Sequence, residues 1–222
     1  MSNHKQHPLQ NVLKQFWLLA LASTLLFSPL QAEPTPPNML LETASREMIS
    51  AINANHEKIK TDPGIVNGLV EEILMPHIDF IAASQWVLGK YWRSASKEQK
   101  LEFIRQFRTL LLRFYSTALS EYLTTNTVKE DMFVFLPLRG DTTNKQVTVT
   151  SEIHAPSGSI IPVKYNMHLT NRGWKVYDVS IEGVSMVTTY RTSFAAEIKQ
   201  KGLDGLIAYL TAQNDKLARK DS

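Results

Sequence analysis

The sequence predicts an α+β fold: a helical first part, a four-stranded antiparallel sheet, then helices again. Three observations predict it. Apolar residues recur at helical spacing as far as Thr125. From Met132 to Ile181 the period drops to two, in runs joined by short links rich in Gly, Asn, Asp and Ser. After Gly183 the helical spacing returns. Runs of one element type followed by runs of the other mark α+β rather than alternating βαβ units.

Residues 1–32 read as a signal peptide. Lys5 and Lys14 give a basic start, "FWLLALASTLLF" (16–27) an apolar run, and Ala32 a small residue for cleavage. The run is short for a membrane span, a retained anchor being the alternative. No cysteine follows it to carry a lipid. Its only full charges are the two lysines, so its removal takes the net charge from +3 to +1. The pI of about 9.0 is therefore no nucleic-acid footprint. Residues 33–222 suffice for one domain. With no cysteine in the chain, packing alone has to hold an exported protein together.

The helical part is expected over about 39–125. "EPTPPN" (33–38) is a tether, and Asn38 can cap a first helix, roughly 39–60, with Leu41, Ala44, Met48 and Ile52 on one side. Asp62-Pro63 is a cap and a first-position proline for a second helix, carrying Ile65, Val66, Leu69, Val70, Ile73 and Leu74 and stopped by Pro76. Asp79 can cap "FIAASQWVL" (80–88), which ends at Gly89. "SKEQ" (96–99) is a capping box opening the longest helix, roughly 97–124, whose apolar stripe is wide enough for a core or a cavity wall.

The sheet is expected over about 131–181, as "MFVFLPL" (132–138), "KQVTVTSEI" (145–153), "IIPVKYNMHL" (160–169) and "GWKVYDVSI" (173–181). The links "RGDTTN", "APSGS" and "TNRG" are short, so the strands form an antiparallel meander with one polar and one apolar face. The C-terminal helices are expected over about 185–219: Ser185 caps one to Gly202, and another runs from Asp204 to Arg219. A curved sheet wrapped by helices gives a cone with an apolar interior.

Catalytic signals are weak. Gly183-Val184-Ser185 hints at a nucleophile elbow, but the second glycine position of G-x-S-x-G is Val187. Its possible partners are His168 and Asp178; the competing reading makes Ser185 a helix cap. His77-x-Asp79 is a close metal-type pair, and Glu71-Glu72 are paired carboxylates. Arg105, Arg108 and Arg113 among Phe and Tyr imitate a nucleic-acid stripe only superficially; the wet side of an amphipathic helix is the commoner place for such arginines. The unusual feature is the supply of apolar side chains on facing elements, which serves a filled core or a lined pocket.

"LMPHIDF" (74–80), "VLGKYWRSASKEQ" (87–99), "FIRQFRTLLLRFY" (103–115), "GWKVYDVSIEGVSMVTTYRTSF" (173–194) and "KGLDGLIAYL" (201–210) occur in this order. Together they resemble the MlaC family, also called the toluene-tolerance auxiliary family, over the whole of residues 33–222. The resemblance implies an NTF2-like cone with extra helices. It implies a periplasmic phospholipid-binding protein of Gram-negative bacteria that is a monomer, not an enzyme. It also implies no nucleic-acid partner, no metal and no cofactor, with phospholipid as cargo. Two partners are implied. One is an inner-membrane ABC transporter complex with its membrane-anchored substrate-binding subunit. The other is an outer-membrane lipoprotein–porin complex, the whole system maintaining outer-membrane lipid asymmetry.

Taking one face per element, the expected lipid-contacting wall has three parts. Phe107, Leu111 and Tyr115 come from the long helix. Val149, Tyr165, Met167 and Val176 come from the sheet, and Val184, Met186, Tyr190 and Phe194 from the stretch after it. Arg191 is a headgroup candidate, or else an ion-pair partner for Glu197. Met167→Asp or Phe107→Asp is expected to strip lipid from a folded protein. Two other functions fit the same pattern: a steroid-isomerase-like enzyme using Asp178 or Tyr177, and a periplasmic adaptor with a filled core.

Overall fold

The computed structural model describes residues 34–138 and 144–219. The expected signal peptide, and residues 139–143 of the first sheet link, lie outside the described residues. Helix α1, Pro37–Ala54, starts with a proline in its first turn and has no side-chain cap, so Asn38 is not the cap. It ends earlier than expected. The Asn55 side chain and backbone N–H both converge on the Ala51 carbonyl, at 2.9 and 3.2 Å, which breaks the helix before α2, His56–Thr61. Asp62 holds a turn, its Oδ1 accepting from Gly64 N at 3.1 Å, and helix α3, Ile65–Leu69, begins after it.

The single helix expected from Pro63 to Pro76 begins at Ile65 with no side-chain cap, and the stretch to His77 is three pieces. Helix α3 passes into a π turn, Val70–Leu74, and a 3-10 turn, Met75–His77. Pro76 has no N–H to continue an α ladder, and a π turn widens a helix locally. The segment then fastens to the sheet: Asp79 N donates to Val176 O at 2.8 Å and Lys175 Nζ to Pro76 O at 2.6 Å.

Helix α4, Phe80–Leu88, has the expected cap, with Asp79 Oδ1 accepting from Ala82 N at 2.9 Å, and ends at Gly89 with φ 53°. A short α5, Lys90–Ser94, follows unforeseen. Helix α6, Lys97–Thr125, opens with both arms of the capping box formed between Ser96 and Gln99.

The sheet has five antiparallel strands in the order β1 (Phe133–Phe135), β2 (Gln146–His154), β3 (Ile160–Thr170), β4 (Gly173–Ile181) and β5 (Val184–Ser185). The fifth strand corrects the expected four. Glu182 (φ 50°) and Gly183 (φ 83°) make a two-residue turn with both φ positive, which folds the chain back on β4. Val147 and Val149 pair with Met167 and Tyr165, so the apolar face is shared as expected. A bulge at Asn166/Met167 skips Tyr177 in the β3–β4 register. Helix α7, Met186–Ala218, is interrupted at Gly202 (φ 73°, ψ 179°), which separates the two expected C-terminal helices.

Helix α6 packs against α2, α3, α4 and α7. Phe103 and Phe107 of α6 and Phe194 and Ile198 of α7 form one buried cluster. The sheet's apolar face has a separate one: Val149, Met167, Trp174 and Val176, with Leu41 of α1.

Candidate functional site

An apolar cavity of about 220 Å³ lies where α6, α7, β4 and the π turn converge. The π turn and its exit supply Val70, Leu74, Met75 and Ile78, and α4 supplies Phe80 and Ala83. Helix α6 contributes Phe107, Leu111, Leu112 and Tyr115, β4 the stretch Val176–Val179, and α7 Met186, Val187 and Tyr190. Phe107 anchors the aromatic side, with ring centroids 5.5 Å from Phe103, 5.2 Å from Tyr190 and 5.9 Å from Phe194. A second, more polar cavity of about 490 Å³ lies beyond it. Tyr115, Met186 and Tyr190 line both.

Six of the eleven expected wall residues line the inner cavity: Phe107, Leu111, Tyr115, Val176, Met186 and Tyr190. Val184 and Phe194 line the outer one. Val149, Tyr165 and Met167 line neither. Their side of the sheet is covered by Leu40 and Leu41 of α1 and by Phe135 of β1, so of the apolar sheet face only the β4 end reaches the cavity. As wall, sequence reasoning missed Val70, Leu74, Met75 and Ile78, then Phe80, Ala83 and Leu112, then Val179 and Val187; Tyr177 and Asp178 it named only as candidates for an enzyme. For the residues at 65–74 the helical spacing was a usable signal; for Ala83 there was none.

Asp178 is the one acidic residue of the inner lining, and its oxygens are engaged. Oδ2 accepts from Ser185 Oγ at 2.8 Å and Oδ1 from Val187 N at 3.0 Å. Ser185 Oγ in turn accepts from Thr188 N at 3.1 Å. His168 instead pairs with Asp79, Nε2 to Oδ2 at 2.9 Å. Ser185, His168 and Asp178 therefore do not assemble as a triad, and Ser185 is the cap of α7. Ser185→Ala is expected to cost about 1 kcal/mol in urea denaturation, the usual loss for a cap, with no change in cavity contents. A cost near zero there would rule out the capping role.

Burial raises the Tyr190 hydroxyl well above the usual phenol range, and the neighbouring Tyr115 adds to this. Tyr177 is raised by burial first and then by the neighbouring Asp178 charge. Both stay neutral, as an apolar wall requires. Arg191 lines neither cavity. Its Nε donates to Trp86 O at 2.7 Å and its guanidinium lies over the Trp86 ring at 5.8 Å, while Glu197 pairs with Lys201. The arginines of α6 are engaged too: Arg105 with Glu102, Arg108 with Glu71, Arg113 with Asn214 O. Among the described residues no group of three or more His, Cys, Asp or Glu stands close enough to hold a metal ion. No helix among them is long and apolar enough to cross a membrane.

This is an α+β protein built around an apolar cavity, a geometry that accepts greasy ligand atoms and offers few polar groups. The chain belongs to the MlaC protein family, whose model matches residues 42–212. It is similar to the intermembrane phospholipid transport system binding protein MlaC of Haemophilus influenzae, 27% identical over 190 residues, covering 78% of this chain and 79% of that protein. It is also similar to the toluene tolerance protein ttg2D of Pseudomonas putida, 26% identical over 195 residues, covering 87% of this chain and 86% of that protein. Among solved structures it is similar to the phospholipid-binding protein from Ralstonia solanacearum, determined in complex with a phospholipid. The TM-score is 0.71 at 27% sequence identity, covering 82% of this chain and 98% of that one.

Proposed function

We propose that the chain is a periplasmic phospholipid carrier, exported with removal of residues 1–32. The observation that carries this reading is the inner cavity: three stretches distant in sequence, 70–83, 107–115 and 176–190, enclose it, and its lining is nearly all hydrocarbon. A two-chain lipid has on the order of 30 methylenes, and exposing them costs roughly 0.8 kcal/mol each, more than 20 kcal/mol in all. Free diffusion across water is negligible at that cost, so a carrier has to enclose the chains. The bilayer is equally apolar, so binding need only match it. A site for this purpose needs volume and greasy walls rather than a polar constellation.

In this reading Phe107, Leu111, Tyr115, Val176, Met186 and Tyr190 touch acyl chain and the headgroup stays in water. The carrier exchanges lipid with an inner-membrane ABC transporter complex and an outer-membrane lipoprotein–porin complex, and the cycle maintains outer-membrane asymmetry. Asp178 has no catalytic part, because its carboxylate holds the start of α7. The adaptor with a filled core is disfavoured by the open volume. The test is organic extraction and native mass spectrometry of the purified protein. Phospholipid at near-stoichiometric amounts is the expected result. Protein that emerges empty, and stays empty after incubation with phospholipid vesicles, overturns the reading.

A further inference from the structure

Helix α6 has a cavity on its other side too, about 330 Å³, within the range of ordinary small-ligand sites. By helix geometry Arg113, Ser116 and Ser120 of its lining lie nearly half a turn around α6 from Phe107, Leu111 and Tyr115. The facing bank is the turn before α3 and the start of that helix, Asp62 to Asn67. Pro63 is the one apolar side chain of the lining, and no aromatic ring takes part. Hydrocarbon cargo has no business here.

Two polar atoms of this lining are buried with no hydrogen-bond partner among the described residues: Asn67 Oδ1 and Ser116 Oγ. Ser116 as a whole is only 3% exposed. A buried polar atom left unpaired costs its full desolvation, so folded proteins carry few of them. The groups around these two are anchored. Ser120 Oγ donates to Pro63 O at 2.9 Å, which ties the two banks together. Asp62 Oδ1 accepts from Gly64 N at 3.1 Å, and Arg113 Nη1 donates to Asn214 O at 2.5 Å. A guanidinium has five N–H donors and a carboxylate two acceptor oxygens. Arg113 and Asp62 therefore keep capacity beyond those bonds, and Glu121 adds a second carboxylate to the lining.

This inventory selects a chemistry. Asn67 Oδ1 only accepts, whereas Ser116 Oγ both donates and accepts. A hydroxyl answers both needs, donating to the amide oxygen and accepting from the serine. An anion would meet the amide oxygen and two carboxylates. A cation would meet the Arg113 guanidinium. A neutral molecule with several hydroxyls meets neither conflict, because hydroxyls donate to carboxylates and accept from a guanidinium equally well.

We infer that this cavity is a binding site for a small free solute rich in hydroxyls, a polyol or a monosaccharide. The glycerol of a lipid headgroup carries the same chemistry, but a lipid seated in the inner cavity is on the other side of α6. The site stands apart from the phospholipid-carrier reading and does not rest on it.

The experiment titrates the full-length protein, as purified, with D-glucose, D-mannitol and glycerol. The amide resonances of Gly64 and of the Asn67 side chain report on the site. A hexose has about twelve non-hydrogen atoms, so a dissociation constant on the order of 1 mM is expected for it at ordinary ligand efficiency. Ser116→Ala and Asn67→Ala should each weaken it about fivefold, the effect of losing one neutral hydrogen bond. Ser116→Ala introduces a smaller and stronger helix former, so its fold is not at risk. Saturable shifts with a hexose that both variants weaken support the site. No shift with any of the three at about 100 mM, far above that constant, overturns it and leaves the cavity to water. Saturable binding that both variants leave unchanged overturns it too, since the solute then sits elsewhere. Glycine and glycerophosphoglycerol are the charged controls. Shifts with glycine alone overturn the hydroxyl chemistry, and shifts with glycerophosphoglycerol but no free polyol overturn the free solute in favour of a headgroup. None of these readouts involves acyl chains, so failure here leaves the carrier reading standing.

Discussion

Ala83→Phe is expected to lower co-purified phospholipid about tenfold or more, since pushing a chain against a filled wall costs 1–3 kcal/mol. The unfolding midpoint should hold or rise. Ala83 sits on α4, is 6% exposed and faces the inner cavity. A benzyl group there enters empty volume rather than occupied core, so the usual overpacking strain falls on the cargo and not on the fold. Filling a cavity recovers stability at roughly 24 cal/mol per Å³, which offsets any local adjustment. The measurement is lipid phosphorus per mole of protein, alongside the urea midpoint. Lipid content at the wild-type level in a variant with the wild-type midpoint would remove the inner cavity from the binding path.

That residue also shows where sequence reading runs out. Pattern analysis counts large apolar side chains, whereas a cavity is made by a small one facing them. Ala83 carries no periodic signal that separates it from Ala82 or Ser84. Local features were legible because their causes are local. The Ser96–Gln99 capping box, the Asp79 cap and the Ser185 cap each depend on residues within a turn, and all formed. The period-two runs gave the strands and their shared face. What covered that face was not legible. Val149, Tyr165 and Met167 were read as cavity wall, but the covering side chains Leu40 and Leu41 lie more than a hundred residues earlier in the chain. The π turn at Val70–Leu74 was equally silent, since its apolar spacing is also that of a plain helix. The two-residue turn at Glu182–Gly183 needs positive φ at a glutamate, an uncommon conformation that the glycine alone does not announce.

Phe107→Ala is expected to destabilise the delipidated protein by about 3–5 kcal/mol, the range for truncating a buried phenylalanine. The upper part of that range is the expected one. Phe107 is 2% exposed, with its ring against Phe103, Tyr190 and Phe194. On its other side it borders the inner cavity. The space vacated by the ring therefore joins an existing void, and neighbours cannot collapse into it without opening the void elsewhere. A loss of this size is a large share of the 5–15 kcal/mol typical of a folded domain, and at about 2–4 °C per kcal/mol it lowers the melting temperature by about 10 °C. The measurement has to use delipidated protein, because bound cargo adds its own stabilisation by mass action. The same geometry changes the expectation for Phe107→Asp and Met167→Asp. Met167 is fully buried in the sheet cluster away from the cavity. An unpaired carboxylate at either site meets no donor and costs far more than a lost contact. Unfolding, rather than a folded and lipid-free protein, is the expected result for both. A Phe107→Ala cost below about 1 kcal/mol, the level of an ordinary substitution, would mean that the ring is cavity wall only and that the α6–α7 core closes without it.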